Sequence, residues 1–178
     1  YNVYRTDRNS DGGGVALLIN KNLKQNSIHL PKLKSIEAVG VEIAHRNDSL
    51  ILILIYIEPK QKQNLISDDL YKLFNISNKI IMFGDFNARN KIWNCYTNNS
   101  RGIMLYRFCI DKGLTIHTPE EPTFYPTQKH YKPSVIDFFI TKNFNNISKP
   151  ESVSILSSDH NPVFAKIDFM HKYETKHY

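Results

Sequence analysis

The stretch Ile80-Ile81-Met82-Phe83-Gly84-Asp85-Phe86-Asn87 decides how this chain reads: an apolar run of strand length that ends in a carboxylate and a carboxamide two residues apart. Side chains alternate across a strand, so Asp85 and Asn87 emerge on one side, where the backbone leaves the sheet. Taken alone, Gly-Asp-Phe-Asn is also a good turn sequence. Two later segments tip the balance toward chemistry. Ser134-Val135-Ile136-Asp137 and Ser157-Ser158-Asp159-His160-Asn161-Pro162 also set polar, reactive side chains beside apolar runs.

Outward from this stretch, short apolar segments predict strands at 15–19, 36–44, 50–57, 79–83, 114–117, 135–141, 153–156 and 163–169. Two helices interrupt them. The first has Ser67-Asp68-Asp69 as cap and first-turn acids, then Leu70, Leu73 and Phe74 on one face. The second starts near Ser100, buries Met104, Leu105, Phe108 and Cys109, and stops at Lys112-Gly113, a cationic last turn with a glycine cap. Segments 36–44 and 50–57 pair as a hairpin through His45-Arg46-Asn47-Asp48-Ser49, and the second alternates so little that it is expected to be buried on both faces. Gly12-Gly13-Gly14 reads as a tight turn, since no Gly-Lys-Ser/Thr follows to make a nucleotide loop. The chain is a strand-dominated α/β protein of one domain, 1–178, with a polar tail at 171–178 expected to fray.

The 178 residues are 41% hydrophobic and 12% aromatic, enough for a sizeable core. Lys and Arg number 23 against 17 acidic residues, giving +6 and a pI near 9.2, so polyanions, nucleic acid first, are the expected partners. Cys95 and Cys109 show no CxxC spacing and no disulfide framework, which suits a reducing compartment. The longest apolar run, 50–57, falls far short of the roughly 20 residues of a spanning helix, and no charged-then-apolar leader opens the chain. A soluble, intracellular monomer with no membrane contact is expected.

Phosphodiester hydrolysis needs a metal to neutralise the phosphate, a group that activates water, donors for the charge of the transition state, and a group that orients them. Asp85 suits the activation of water, and Asn87 a phosphate oxygen. Asp137 lies inside an apolar run, where an unpaired carboxylate is costly, and would orient the ring of His160. His160 alone reads as a surface histidine in a turn before Pro162. Asp159 and His160, as sequence neighbours, point to opposite sides and need different partners. Tyr56 closes its apolar strand before Glu58-Pro59 and reads as a phosphate donor or as a core tyrosine. Cations and aromatics alternate in two loops that are candidates for DNA contact: Arg89, Lys91, Trp93 and Arg101 in one, Lys129 and Lys132 in the other.

Tyr-x-x-Pro at 56–59, Gly-Asp-Phe-Asn at 84–87, Ser-x-x-Asp at 134–137 and Ser-Asp-His-x-Pro at 158–162 together resemble the endonuclease/exonuclease/phosphatase superfamily. Gly-Gly-Gly-Val-Ala before a strand, Trp93, Arg101-Gly102 with Leu105, and Pro122-Thr123-Phe124 resemble, within it, the apurinic-endonuclease-like domain of non-LTR retrotransposons of the jockey type. The resemblance runs from about Tyr4 to Ile167. It implies a deoxyribonuclease-like α/β (α+β) fold, a four-layered sandwich of two mixed β-sheets flanked by helices. It also implies a Mg²⁺-dependent nick in DNA, with Mn²⁺ as an alternative ion, that leaves a 3′ hydroxyl to prime a reverse transcriptase carried in the same polyprotein, in the nucleus when the target is chromosomal.

In the terms of that family Tyr56 contacts the phosphate, Asp85 aligns the nucleophilic water, Asn87 stabilises the pentavalent centre, and Asp137 and His160 form a carboxylate–imidazole pair. Asp159 lies at the metal or its outer shell. Family members open with a strand bearing an Asn and a second bearing a metal-ligating Glu, both preceding the segment that begins here at Tyr4. The chain therefore reads as truncated at its N-terminus, and weak metal affinity and reduced nicking are expected of it. The alternative is a relic or adaptor that binds DNA without cutting it.

Overall fold

In the computed structural model, residues 1–8, 13–45, 48–128 and 130–169 are described; Gly12, Arg46 and Asn47 of the anticipated turns, Lys129, and the anticipated tail at 171–178 lie outside them. Strand β1 (Asn2–Asp7) turns back into β2 (Gly14–Ile19), followed by β3 (Gln25–Ser27) and the long pair β4 (Glu37–His45) and β5 (Asp48–Tyr56). Helix α1 (Gln63–Phe74) leads to β6 (Ile80–Asp85). A 3₁₀ turn at Lys91–Trp93 and helix α2 (Ser100–Asp111) come next, then β7 (Thr115–His117) and β8 (Asp137–Lys142). Two short strands, β9 (Glu151–Ser152) and β10 (Val163–Phe164), complete the order.

Six strands form one mixed sheet in the order β3-β4-β5-β6-β8-β7, in which only β5 and β6 run parallel. The parallel step follows from α1, because a crossover helix returns the chain to the same end of the sheet. Odd and even positions of the central strands then part company. Ala38, Ile51, Ile53, Ile55, Ile80, Met82, Phe138 and Ile140 face the helices, which add Ile66, Leu70, Leu73, Leu105 and Phe108 to the main core. On the other face β1–β2 lays Val15, Leu17 and Ile19 over Val39, Val41 and Ile43. Nearer β8, Leu50, Ile81, Phe139 and Phe144 form a third cluster with Val163 and Ala165. Leu52 and Phe83 touch both clusters of that face and stay half-buried.

These layers have the deoxyribonuclease-like α/β architecture. Among the described residues, the layer opposite the helices consists of two separate antiparallel ladders, β1–β2 and β9–β10. Hence 50–57 is not closed on both faces. Ile51, Ile53 and Ile55 are buried, whereas Leu52, Leu54 and Tyr56 lie half-open on the ladder side.

Other departures have local causes. Helix α1 begins at Gln63 rather than near Ser67, and Asp69 is not a solvated first-turn acid. It is fully buried, accepting from Lys34 N and Ser35 N at 2.7 Å each and pairing with Lys72 at 3.0 Å. The 153–156 run is not a strand. Ile155 and Leu156 are 62% and 60% exposed in a loop after β9. Of 163–169 only the first two residues form a strand, followed by an isolated bridge from Ile167 to Ile147. Gly84 has a steric reason to be glycine. With φ at +133°, a Cβ there would sit 2.0 Å from the carbonyl oxygen of Ile55, so only glycine lets β6 run this close to β5 just before Asp85.

Candidate active site

The register of three adjacent strands places the site. Tyr56 at the end of β5 pairs with Asp85 on β6, and Asp85 pairs with Asp137 at the start of β8. Cross-strand partners share a face, so all three project from the ladder side, continuing the rows Leu54–Phe83–Phe139 and Leu52–Ile81–Thr141. A phenol and two carboxylates thus stand in line where the strands end.

Asn87 follows β6 with φ at +47°, a left-handed conformation that asparagine tolerates. Its backbone N–H donates to Asp85 Oδ1 at 2.7 Å, and its Nδ2 donates to Asp85 Oδ2 at 2.8 Å and to the Ile57 carbonyl at 3.1 Å. His160 arrives on the loop before β10. Its Nδ1 stands 3.0 Å from Asp137 Oδ2, and Phe124 lies against its ring at 4.9 Å between centroids. One donor atom from each of Asp85, Asp137 and His160 lies within 4.8 Å of the other two, a group able to hold a cation.

Charge and burial tune these groups. Burial, then the negative charge of Asp137, pushes the Asp85 carboxyl up to about 7, against the hydrogen bond from Asn87 N and the attraction of His160 and Arg101. The hydrogen bond to Asp137 raises His160, more than burial lowers it, and the charges of Asp137, Asp85 and Asp159 act in the same direction. Burial and the neighbouring Asp85 raise the Tyr56 hydroxyl. Arg8 reaches 5.8 Å over the Tyr56 ring while paired with Glu37.

The sequence-derived candidates divide accordingly. Tyr56, Asp85, Asn87, Asp137 and His160 converge. Asp159 does not join the metal-capable group. Its side chain is exposed, its charge acts on His160 from outside the group, and its carbonyl accepts from Tyr125 N at 2.7 Å. Arg89 lines two adjoining cavities of about 270 Å³ each, with Phe124 and Tyr131 in one and Tyr96, Tyr131 and Lys132 in the other. Lys91 and Lys132 are exposed, whereas Lys129 lies outside the described residues.

Two of the proposed DNA contacts are corrected. Trp93 is 2% exposed, its Nε1 donates to the Ala88 carbonyl at 3.3 Å, and its ring packs on Phe138 at 5.4 Å. Arg101 is also 2% exposed, its guanidinium turned inward onto backbone carbonyls. Neither side chain reaches solvent, where a phosphate would lie.

Thr123 escaped the reading of individual residues. It is fully buried; its Oγ1 accepts from Ile136 N and Asp137 N at 3.0 Å each and donates to Asp137 Oδ2 at 2.8 Å, the oxygen that faces His160. Its only signal in the sequence is its place in Pro122-Thr123-Phe124. Asn99 was likewise not singled out in the sequence. It caps α2 by accepting from Gly102 N at 2.7 Å, and also accepts from Arg89 N at 3.0 Å.

Comparison with known proteins agrees with this geometry. The chain is 28% identical over 167 residues to the RNA-directed DNA polymerase from mobile element jockey of Drosophila melanogaster, covering 93% of this chain. It is 24% identical over 172 residues to the jockey polymerase of Drosophila funebris, covering 96% of this chain. In both cases it spans 18% of the relative's length. The endonuclease domain of TRAS1, a telomere-specific non-LTR retrotransposon, superposes with a TM-score of 0.81 at 23% identity, over 96% of this chain and 81% of that one, and so shares its fold. The family model for endonuclease-reverse transcriptase matches residues 50–164, which hold every residue of the converged site. With more than half of its length matched, the chain belongs to the endonuclease-reverse transcriptase family.

Proposed function

We propose that this domain hydrolyses a phosphodiester bond of DNA, nicking one strand and leaving a 3′ hydroxyl from which a reverse transcriptase in the same polyprotein primes synthesis. The observation that carries the reading is the line Tyr56–Asp85–Asp137 across three strand ends, with Asn87 and His160 hydrogen-bonded into it. Ionised Asp85 takes a proton from the attacking water as its oxygen bonds to phosphorus. Asn87 Nδ2 exchanges its bond to Asp85 for one to a phosphate oxygen, the Tyr56 hydroxyl donates to another, and protonated His160, held through Nδ1 by Asp137, offers its Nε2–H to the growing negative charge. The P–O3′ bond breaks, and the departing oxygen takes a proton from a solvent water to become the 3′ hydroxyl. Arg89, Lys91, Lys132 and the basic net charge supply electrostatic attraction to the backbone. On chromosomal DNA this work is nuclear.

Asp85 and Asp137 offer the oxygen donors that a hard divalent cation such as Mg²⁺ prefers, and when bound the ion would neutralise the scissile phosphate. Two carboxylates and one imidazole already engaged with Asp137 are a sparse donor set, which favours millimolar metal demand. The same sparseness supports a second reading, a domain that binds DNA without cutting it.

A supercoiled plasmid with Mg²⁺ from 0 to roughly 10 mM separates the two, since Mg²⁺ binds weakly through few protein ligands. Hydrolysis predicts nicked circles from the wild type, none from Asp85→Ala, and equal DNA binding by both. Binding without any nick at the highest metal concentration would leave only the second reading.

A further inference from the structure

We propose that Arg101 is a positioning residue of this site: a buried fork that holds the ends of β5 and β6 at the separation that Tyr56, Asp85 and Asn87 require. The inference rests on the hydrolytic reading above. From the second residue of α2, Arg101 Nη2 donates to the carbonyls of Glu58 at 2.9 Å and Pro59 at 3.0 Å, just beyond Tyr56. Its Nη1 donates to the carbonyls of Ile57 at 3.4 Å and Phe86 at 3.3 Å, the latter between Asp85 and Asn87. One planar group therefore joins the two strand exits. Asn87 Nδ2 donates to the same Ile57 carbonyl, so the oxygen that aims the carboxamide is shared with the guanidinium.

A buried cation whose hydrogen-bond partners are all neutral carbonyls carries a desolvation cost that the nearby charge of Asp85 offsets only in part. The fork's rigid spread of donors explains its presence better than its charge does, and lysine, a single point donor, could not reach both exits at once. The rest of the α2 N-terminus grips the same turn. Asn99 Nδ2 donates to the Asn87 carbonyl at 3.0 Å, and Asn99 N to that of Arg89 at 3.0 Å. Gly102 permits the approach, since a Cβ there would lie 1.9 Å from the Arg89 carbonyl oxygen. The catalytic turn is held by backbone contacts whose loss would displace Asn87 and Asp85 without touching any surface that meets DNA.

Arg101→Met and Arg101→Lys, compared with wild type by single-turnover nicking, DNA binding and the ¹⁵N signal of the Asn87 side-chain amide, test this. Misplacement of reacting groups by about an ångström costs on the order of a hundredfold in rate. The expected result for Arg101→Met is a loss of that order in kcat with KM and salt-dependent DNA affinity unchanged, a displaced Asn87 signal, and partial recovery of kcat in Arg101→Lys. A folded variant with wild-type kcat would overturn the proposal, as would weakened DNA binding with a shallower salt dependence, which would make Arg101 a phosphate contact. Failure of both variants to fold would make it a determinant of folding alone and overturn it too. If the wild type cuts no DNA, the hydrolytic reading fails by itself, and the Asn87 signal in Arg101→Lys decides the positioning role: displaced supports it, unmoved refutes it.

Discussion

Asp137 shows how a half-buried carboxylate is kept usable. Thr123 and His160 converge on its Oδ2, and Thr123 also closes the backbone N–H groups of Ile136 and Asp137. Thr123→Val preserves the shape but leaves those groups unpaired. It should cost about 1–3 kcal/mol of stability, read by chemical denaturation, and slow nicking because His160 loses a fixed partner. Asp85 makes a pH prediction. Its folded pKa is raised to about 7 from an ordinary value of 3.8, so its ionisation destabilises the fold by an amount that grows as pH rises between those values and is complete above them. His160, raised above 6.5, adds stability below that pH and loses it as pH climbs through the folded value. Both make the metal-free protein less stable above neutrality. Asp85→Asn should therefore raise the melting temperature by several degrees at pH 8 and much less at pH 5, measured in EDTA; an equal rise at both would contradict the assignment. Tyr56, Asp85, Asn87, Asp137 and His160 were legible because each stands at a strand end or in the loop beside one, in a recognisable order. Arg101 and Trp93 misled because a cation and an aromatic after a turn look alike whether they face solvent or core, and only tertiary packing distinguishes them.

At the scale of elements, the segments most legible in the sequence were the apolar runs that became β2, β4, β5 and β6 and the apolar faces of both helices. The edge strands β1 and β3 are polar and exposed, so their pairing leaves no periodic trace. The 153–156 run failed in the opposite way, apolar in sequence yet unpaired and exposed around Ile155 and Leu156. Asp69 ties α1 to the 34–35 segment from full burial, a role that its place in an acidic pair of residues concealed. Asp69→Ala strands Lys72 and three donors, and should cost about 3 kcal/mol or more in a denaturant titration. The nicking rate of the remaining folded protein should stay at the wild-type level, since α1 packs on the face of the sheet opposite the one from which the site projects. Gly84→Ala should be worse, because the clash is with backbone of the neighbouring strand and no rotamer relieves it.

For the whole molecule, fold and charge act together. The helix side of the sheet is closed, while the ladder side stays half-open along Leu52, Leu54 and Phe83 and ends at the site. A net charge of +6 gives DNA affinity a salt dependence. Lys91→Ala and Lys132→Ala should each lower the slope of log affinity against log salt by about one, whereas Trp93→Phe should leave it unchanged. The account stands or falls on Asp137 and His160 acting as one device beside Asp85, and single-turnover plasmid nicking in Mg²⁺ by Asp137→Ala, His160→Ala and the double variant measures this most directly. A joined pair predicts that each single loss is nearly as large as the double loss. Losses that multiply, or a wild type that leaves the supercoiled plasmid intact, would contradict it.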